Sequence, residues 1–411
     1  MTSEILHEIR ITDVALGGDG VGRLADGRAV FVPFTLPGET VTVRLVTEQA
    51  RFCRAEVTAV TAPAAARVIP PCPLFGRCGG CQYQHAAYPL QVELKQKQLR
   101  ETLRRIGGFA ELPEPEVVAA SPQPFAYRNK LRLEPPAAGA PVAGYGFFAR
   151  DNTTLLPVPA CPLAMPSLNA LLPEMLRDPA AARNLTAPYP VPLTLRQPAV
   201  GPAYGYFDPA EVSGRVVEER LDGRPVRVPA AGFWQVNPAV AARLLETVGA
   251  WYAAAPTPTL VDAYAGAGAF MLTLGASAAR RILIEADPAA VAAARDNLAY
   301  RGLSAGAECL AASAETALPR RLKAASAADR AAMTVVLDPP RGGCAPELLA
   351  ALSAYPPGRI FYVSCHPATL SRDLRKLCTH GGGPWQLARY ALFDMFPQTA
   401  HFETAVELVP G

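Results

Sequence analysis

Two side chains in the last part of the chain could together carry out covalent and acid–base chemistry. Cys365 directly follows the apolar run Ile360–Val363 and precedes a predicted helix, whose amino end should lower the pKa of the thiol and favour the thiolate. Glu403 lies in an apolar segment, where burial would raise the pKa of its carboxyl group and suit it to proton transfer. The competing interpretations are a buried packing cysteine and a salt-bridged strand glutamate.

A glycine-containing loop predicts a nucleoside-binding site in the same region. In VDAYAGAGAF (261–270), Gly266 and Gly268 follow a predicted strand and begin a helix, so the backbone can approach a ligand closely. Glu285 ends the next predicted strand, where a carboxylate can bind ribose hydroxyl groups, and Asp338 ends a later one. The loop lacks the third glycine of a dinucleotide fingerprint and the Lys-Ser or Lys-Thr of a phosphate loop. We therefore predict S-adenosylmethionine as the cofactor, with an ordinary β–α turn as the alternative.

A thiol, a carboxylate and a methyl donor are the groups needed to methylate carbon 5 of uracil. That carbon is a poor nucleophile, but addition of a thiolate to C6 turns it into an enolate-like carbanion that accepts a methyl group. A base must then remove the C5 proton so that the thiol is eliminated. Since Cys365 cannot reach a base inside a duplex, the target uridine must lie in a loop or be flipped out.

The elements that must position these groups have the pattern of an α/β domain. The sequence predicts helices at 239–255 and 289–300 and strands at 260–264, 282–285, 334–337 and 360–363. Strands that alternate with helices predict a parallel, doubly wound, Rossmann-like sheet with its ligands at the carboxyl ends of the strands. Residues 232–411 are the predicted extent of this domain.

Two further domains are predicted before it. Residues 1–62 contain short β-branched runs separated by turn signals, a pattern that indicates a small β-barrel of the oligonucleotide-binding kind. Residues 63–231 are rich in proline and alternating runs, apart from a helix predicted from Leu90 to Ile106. We expect them to form a mainly β central domain.

Four of the nine cysteines form a candidate metal site in the central domain. They are Cys72, Cys78, Cys81 and Cys161. An odd number of cysteines in a chain without a secretory signal argues against a disulfide framework. Four thiolates can hold an iron–sulfur cluster or a structural zinc ion, and their spacing leaves both open.

The composition excludes some classes of protein and leaves others open. The net charge of the 411 residues is only +3, so the total charge gives no argument for a nucleic-acid partner. Lys and Arg exceed Asp and Glu between 64 and 132, and this local excess, which includes Lys95, Lys97 and Arg100, predicts a phosphate-binding face. A solvated surface is the alternative. The chain shows no apolar stretch of membrane-spanning length and no signal peptide, so we expect a cytoplasmic monomer without an obligate protein partner.

Three segments resemble the RNA 5-methyluridine methyltransferase family. DPPRGG (338–343), followed by IFYVSCHPAT (360–369), resembles the nucleophile motif of the family, and FDMFPQTAHFE (393–403) resembles the motif that ends in its catalytic glutamate. FWQVN (233–237) resembles the segment whose glutamine contacts S-adenosylmethionine. The resemblance spans essentially the whole chain and implies methylation of a uridine at C5 in structured RNA.

The resemblance also implies roles for individual residues. Cys365 would be the nucleophile and Glu403 the base. The residues implied in binding S-adenosylmethionine are Gln235, Tyr264, Glu285 and Asp338. The four cysteines would carry a [4Fe-4S] cluster, and residues 1–62 would form a TRAM domain that binds RNA. The chain departs from the family at His366, where asparagine is usual, and at Ala269, where a polar residue is frequent.

Other functions remain open at this stage. The TRAM-like domain and the clustered cysteines favour 23S ribosomal RNA over transfer RNA as the substrate, by analogy with the family. The Asp-Pro-Pro turn at Asp338 would also suit methylation of an exocyclic amine, but that reaction has no use for a thiol and a distant base. A non-catalytic RNA-binding or ribosome-assembly factor would have no need of Cys365 and Glu403.

Overall fold

The computed structural model describes residues 6–137 and 144–411, and its amino-terminal part is a six-stranded sheet with its own core. The first five residues of the predicted range 1–62 lie outside the described residues. The strands are β1 (Leu6–Arg10), β2 (Asp13–Val14), β3 (Gly20–Arg23), β4 (Ala29–Val32), β5 (Thr40–Glu48) and β6 (Phe52–Ala62), in the order β1-β5-β6-β4-β3-β2. Val41 and Val43 alternate inward from β5 and pack with Val30 and Ile9. The predicted small β domain is confirmed.

The middle of the chain contains small sheets, covered in part by helices. Its elements are α1 (Tyr88–Arg105), β7 (Val117–Ala119), β8 (Lys130–Leu133), β9 (Gly146–Phe148), β10 (Leu155–Pro157), α2 (Pro166–Arg177), α3 (Pro179–Leu185), β11 (Leu193–Arg196), β12 (Tyr204–Tyr206), β13 (Val216–Leu221) and β14 (Arg224–Pro229). Strands β8, β11 and β12 form one antiparallel sheet, while β9–β10 and β13–β14 are two-stranded. Leu168 and Leu172 of α2 pack on the three-stranded sheet.

Helix α1 turns its apolar residues toward the α/β domain. It begins with a proline in its first turn, and Gly108, with φ near +80°, follows its end. Leu99 and Leu103, one helical turn apart, belong to the same core as Leu370 and Leu374. The helix therefore joins the central region to the α/β domain rather than standing free.

One basic residue of α1 cannot belong to the free phosphate-binding face that the sequence predicts. Lys95 is fully buried, and its Nζ lies 2.6 Å from Oδ1 of Asp394. The other ion pairs of this helix join Lys97 to Asp13, Arg100 to Glu114 and Arg105 to Glu101. The prediction is wrong for Lys95, because a lysine that is removed from solvent and neutralised by a carboxylate cannot contact RNA.

The rest of the chain is an α/β domain built on an eight-stranded sheet. Its elements are α4 (Pro238–Ala254), β15 (Thr259–Ala263), α5 (Ala269–Leu274), β16 (Arg280–Glu285), α6 (Pro288–Tyr300), β17 (Ala307–Ala311), α7 (Ala314–Ala324), α8 (Ala327–Ala331), β18 (Met333–Leu337), α9 (Pro346–Ala354), β19 (Arg359–Ser364), α10 (Pro367–Leu377), β20 (Trp385–Phe393) and β21 (Glu403–Pro410). The strand order is β17-β16-β15-β18-β19-β21-β20-β7. The first five strands are parallel, and β21 runs antiparallel to both of its neighbours. The predicted doubly wound sheet is confirmed.

The strand order places the candidate site. Strands β15 and β18 are adjacent, and the chain leaves them toward opposite sides of the sheet, which makes a topological switch point. Most of the candidate cofactor residues follow β15 or β18 or end β16, and Cys365 follows β19, so these residues lie at the carboxyl ends of parallel strands. Gln235 is the exception, because it lies just before α4. Sequence order alone does not give this adjacency.

The three predicted domain ranges stay a prediction. Strand β7 falls in the range 63–231 but pairs with β20 at the edge of the large sheet. Ala119, Tyr204 and Val226 from the same range pack into a core of the α/β domain. Within residues 6–137 and 144–411, no helix is both long enough and apolar enough to cross a membrane.

Candidate active site

Strand register brings Cys365 and Glu403 together. In the antiparallel pair β19–β21, the last residue of β19, Ser364, lies opposite Thr404. Continuing this register by one residue pairs Cys365 with Glu403, the first residue of β21. Opposite residues of an antiparallel pair point to the same face, with Cα atoms about 4.5–5.5 Å apart. The thiol and the carboxyl group therefore meet at the carboxyl end of β19.

The environment of Cys365 keeps its thiol protonated in the free protein. Cys365 is half-buried, and burial, followed by the charge of Glu403, raises the pKa of its thiol to about 11. The positive charge of Arg341 opposes this increase in the pKa, and Asp338 adds to it. The expected lowering of the pKa is wrong, because desolvation and two nearby carboxyl groups outweigh the amino end of α10.

Glu403 and Asp338 form a close pair of carboxyl groups. Burial, and then the charge of Asp338, raise the pKa of Glu403 well above its usual range, and burial also raises the pKa of Asp338. Oε2 of Glu403 has no hydrogen-bond partner among the described residues, whereas Glu407 on the same strand pairs with Arg359 and Arg389. Glu403 is thus unlike a salt-bridged strand residue. Two neighbouring carboxyl groups with little access to water cannot easily both ionise, so one of them holds a proton.

His366 forms the amino-terminal cap of α10. Its Nδ1 accepts a hydrogen bond from the backbone N–H of Thr369 at 3.3 Å, and Pro367 occupies the first turn. The bond requires Nδ1 without a hydrogen, which places the ring hydrogen on Nε2. Asparagine is among the most favoured capping residues, so an asparagine at position 366 would supply the same cap.

We expect His366→Asn to retain both fold and activity, because asparagine supplies an acceptor for the Thr369 N–H. His366→Ala should lower the free energy of unfolding by about 1 kcal/mol through loss of the cap.

Burial lowers the pKa of His366. The unfolded chain therefore binds more protons below about pH 6.5, and the native protein should lose stability relative to His366→Asn as the pH falls toward 5. Thermal denaturation between pH 5 and 8 measures both effects, and equal melting temperatures for His366→Ala and the native protein would contradict the capping role.

The loop after β15 has the backbone geometry of a ligand cradle. Tyr264, Gly266 and Gly268 all have positive φ angles, of 62°, 54° and 90°. Such an angle is rare for tyrosine and marks a strained position at which the surrounding structure fixes the backbone. A Cβ added at Gly266 would meet nothing within 4 Å, so this side of the loop is open to a ligand. The Tyr264 hydroxyl donates to Glu315 at 2.8 Å, which leaves the ring as its contribution to the site.

Glu285 ties two backbone segments together at the end of β16. Its carboxylate accepts hydrogen bonds from the N–H groups of Gly266 and Asp287, both at 2.8 Å. These two bonds fix the carboxylate against the glycine loop and leave further lone pairs for a ligand. Glu285 thus contacts the glycine loop, but it does not line the cavity that lies beside this loop.

Gln235 lines the same cavity as the glycine loop. The cavity is lined by Phe233, Trp234, Gln235, Ala241, Leu244, Leu245, Tyr264, Ala265, Gly266, Ala267, Ala269, Phe270 and Asp338. The backbone of the 235–236 segment is fixed by Asn129, whose side chain donates to the Gln235 carbonyl at 3.1 Å. Ala269 contributes only a methyl group to this cavity. The predicted residues Gln235, Tyr264, Gly266 and Asp338 therefore meet in one place, and Gly268 caps the following helix.

Two residues of this site escaped the sequence analysis. Asp262 is fully buried in β15, its Oδ2 accepts from the Met271 N–H at 2.9 Å, and its Oδ1 has no partner among the described residues. An acid within an apolar strand was the available signal. Arg341 influences the pKa of both Cys365 and His401, and its side chain is in no ion pair of the described residues. Arg341 belongs to the DPPRGG segment, but the sequence pattern did not suggest a role for it.

The four candidate metal ligands gather around a second cavity, of about 320 Å³. Cys72, Cys78, Cys81 and Cys161 all line it, together with Arg128. Burial, and then the other three thiols, raise the pKa of Cys81 to about 12. No group of three or more His, Cys, Asp or Glu side chains within the described ranges is arranged to hold a metal ion. The thiols thus share one cavity, and the four-cysteine metal site stays a prediction.

Comparison with known proteins shows which family the chain resembles. Residues 217–410 match the family described as tRNA (Uracil-5-)-methyltransferase, and residues 7–58 match the TRAM domain. An RNA methyltransferase from Gloeobacter violaceus is 33% identical over 97% of this chain and 95% of its own length. A 23S rRNA (uracil(1939)-C(5))-methyltransferase from Chromohalobacter salexigens is 32% identical over 97% of this chain and 88% of its own length. The chain belongs to the RNA uracil-C5 methyltransferase family.

The fold of this uracil-C5 methyltransferase is also that of a solved structure. The Pyrococcus abyssi tRNA (uracil-54, C5)-methyltransferase, determined with S-adenosyl-L-homocysteine, has a TM-score of 0.69 and covers 98% of this chain and 99% of its own. At 23% identity this similarity describes the fold. Membership of the family makes the protein an S-adenosylmethionine-dependent enzyme that acts on RNA, as the sequence motifs predict.

Proposed function

We propose that this enzyme methylates C5 of a uridine in 23S ribosomal RNA through a covalent bond between Cys365 and C6 of the base. The observation that carries the proposal is the register of β19 and β21, which sets a thiol opposite a carboxyl group that has no ion-pair partner in the described chain. A packing cysteine would not need a buried, unpaired carboxyl group beside it.

Cys365 and Glu403 carry out the steps of the proposed reaction other than donation of the methyl group. The Cys365 thiol first loses its proton to water; the thiolate then adds to C6 of uracil, and the π electron pair of the C5–C6 bond forms an enolate. S-adenosylmethionine, when bound, supplies the methyl group that C5 takes. Glu403 then accepts the C5 proton, the C5–C6 double bond re-forms, and the Cys365–C6 bond breaks to return the thiolate. The raised pKa of Glu403 makes its ionised form a stronger base, as this step requires.

The residues around the cofactor cavity suit the proposed role of S-adenosylmethionine. Gln235, Tyr264 and Asp338 all line the cavity, and Asp338 is also close enough to Glu403 for its charge to raise the pKa of that carboxyl group. The glycine loop offers open space, and Glu285 is fixed beside it. We assign cofactor binding to these residues. Carboxyl groups near a bound sulfonium cation would ionise more readily, because an opposite charge lowers their pKa.

The substrate is tested by mapping 5-methyluridine. We expect mass spectrometry of RNA from cells lacking the gene to show loss of 5-methyluridine at one position of 23S ribosomal RNA, and restoration by the native gene. Relatives named as 23S rRNA methyltransferases, similar along nearly their whole length, support this choice. Loss confined to transfer RNA would replace the substrate and keep the chemistry. An unchanged 5-methyluridine content in both RNAs would overturn the proposal and favour a non-catalytic RNA-binding factor.

We further propose that the cysteine cavity holds a [4Fe-4S] cluster. Four free thiols around a cavity of about 320 Å³ provide the ligands, and the resemblance of the sequence to cluster-carrying members of the family favours a cluster over zinc. Protein purified without oxygen should show visible charge-transfer absorbance and about four irons per chain. Cys81→Ser should lose both, whereas Cys309→Ser, a half-buried thiol on β17, should lose neither. Stoichiometric zinc without the absorbance would refute the cluster.

A further inference from the structure

The loop that leads to Glu403 has a strained backbone. Gln398 has φ near 70°, a left-handed conformation that is uncommon for a residue with a side chain and costs on the order of 1–3 kcal/mol. Gln91 holds it from one side: the Gln398 N–H donates to Oε1 of Gln91, and Nε2 of Gln91 donates to Oε1 of Gln398, both at 2.9 Å. The loop therefore keeps its shape through bonds from other parts of the chain.

A second set of bonds reaches this loop from the turn that carries the cysteines. The backbone N–H groups of Gln82 and Tyr83 both donate to the Gln398 carbonyl oxygen, at 3.1 and 2.9 Å. The side chain of Gln82 accepts a hydrogen bond from the N–H of Ala400 at 3.1 Å. Ala400 is three residues before Glu403 in the chain.

The same Gln82 side chain also faces the cysteines. Its Nε2 donates to the carbonyl oxygen of Gly79 at 2.9 Å, and Gly79 lies between Cys78 and Cys81. The Gln82 amide therefore accepts a hydrogen bond from the loop that leads to Glu403 and donates one to the turn that carries the cysteines. No other side chain of the described residues makes these two bonds together.

We propose that Gln82 is a positioning residue: the hydrogen bond that its side-chain oxygen accepts from the Ala400 N–H holds the loop that leads to the catalytic base. The inference rests on the proposed function, since it assumes that Glu403 removes the C5 proton. A displacement of about 1 Å in a catalytic group can cost on the order of a hundredfold in rate. Loss of the bond to Ala400 would leave methyl transfer possible but would slow removal of the C5 proton. The enzyme would therefore stall as a covalent adduct, in which the sulfur is bonded to C6 and C5 carries both the methyl group and the proton.

The test compares three variants in steady-state assays with substrate RNA, and the same reactions are scored on denaturing gels for covalent protein–RNA adduct. Gln82→Ala should lower kcat at least tenfold, leave KM for RNA within about twofold, and accumulate adduct. Gln197→Ala is the matched control, because Gln197 is also half-buried and its side chain also donates to backbone carbonyl groups, those of Pro198 and Gly201. It should resemble the native enzyme. Gln82→Glu keeps an acceptor for the Ala400 N–H and should restore kcat to within about fivefold of native without accumulating adduct.

The outcomes separate this inference from the proposed function. A Glu403→Gln enzyme that forms no adduct would remove the covalent mechanism itself. If Glu403→Gln accumulates adduct and Gln82→Ala does not, only the positioning role is refuted. Equal losses in Gln82→Ala and Gln82→Glu, or a loss that appears in KM alone, would also refute it, since general loosening of the fold would affect both variants alike.

Discussion

Replacing Cys365 by alanine is expected to abolish RNA methylation, with turnover falling on the order of 10⁴-fold or more. Loss of a covalent nucleophile removes the only route that makes C5 reactive, and single deletions of such groups have effects of this size or greater. The measurement is transfer of labelled methyl groups to ribosomal RNA that lacks the modification. Because the pKa of the native thiol is raised to about 11, the native rate should also increase with pH through the neutral range, as the thiolate fraction grows.

The control for this variant is a second thiol in the same domain. Cys309 is half-buried on β17, at the far edge of the sheet from Cys365, and Cys309→Ala should methylate RNA at the native rate. Calorimetric titration with S-adenosylmethionine should give the same affinity for Cys365→Ala and native protein, because Cys365 does not line the cofactor cavity. Methylation by Cys365→Ala within tenfold of native would exclude covalent catalysis and favour methylation of an exocyclic amine.

Replacing Glu403 by glutamine should trap the enzyme on its RNA. The thiolate can still add to C6 and C5 can still take the methyl group, but an amide cannot accept the C5 proton, so turnover should fall on the order of 10²–10⁴-fold. The product is an adduct that survives denaturing gel electrophoresis. Removing the carboxyl charge should also lower the pKa of Cys365, because Glu403 is one of the groups that raise it. Alkylation of the thiol should therefore begin at lower pH.

The neighbouring strand glutamate provides the matched control. Glu407 lies on β21 as well and is also buried, but its carboxylate is paired with Arg359 and Arg389. Glu407→Gln should lower stability, since it leaves the buried Arg359 without its counter-ion, and should not accumulate adduct. Adduct in Glu407→Gln, or none in Glu403→Gln, would show that Glu403 is not the base.

Much of the fold was predictable because its signals are local. Apolar strands that alternate with helices indicated the parallel sheet, and predicted strands at 282–285 and 334–337 lie within β16 and β18. The positive φ angles of Gly266 and Gly268 follow from the residue type, as the glycine loop suggested. The nature of Cys365 and Glu403 as reactive groups was also a matter of residue chemistry and short motifs.

Charge and solvent access were not predictable, because they depend on neighbours that are distant in the chain. The amino end of α10 suggested a lowered thiol pKa, but burial and the approach of Glu403 and Asp338 reverse the direction. The local excess of basic residues suggested that Lys95 binds phosphate. Only the tertiary structure shows that it is buried and paired with Asp394.

The sequence by itself predicted which groups could react and indicated the family, since motifs such as DPPRGG and FDMFPQTAHFE are contiguous. Tertiary structure alone decided that the groups meet. The antiparallel insertion of β21 beside β19 sets Glu403 opposite Cys365, and Gln82 links the cysteine turn to the same loop. Pairing between distant strands is fixed by how the whole sheet closes on its core, and no local pattern in either strand encodes its partner.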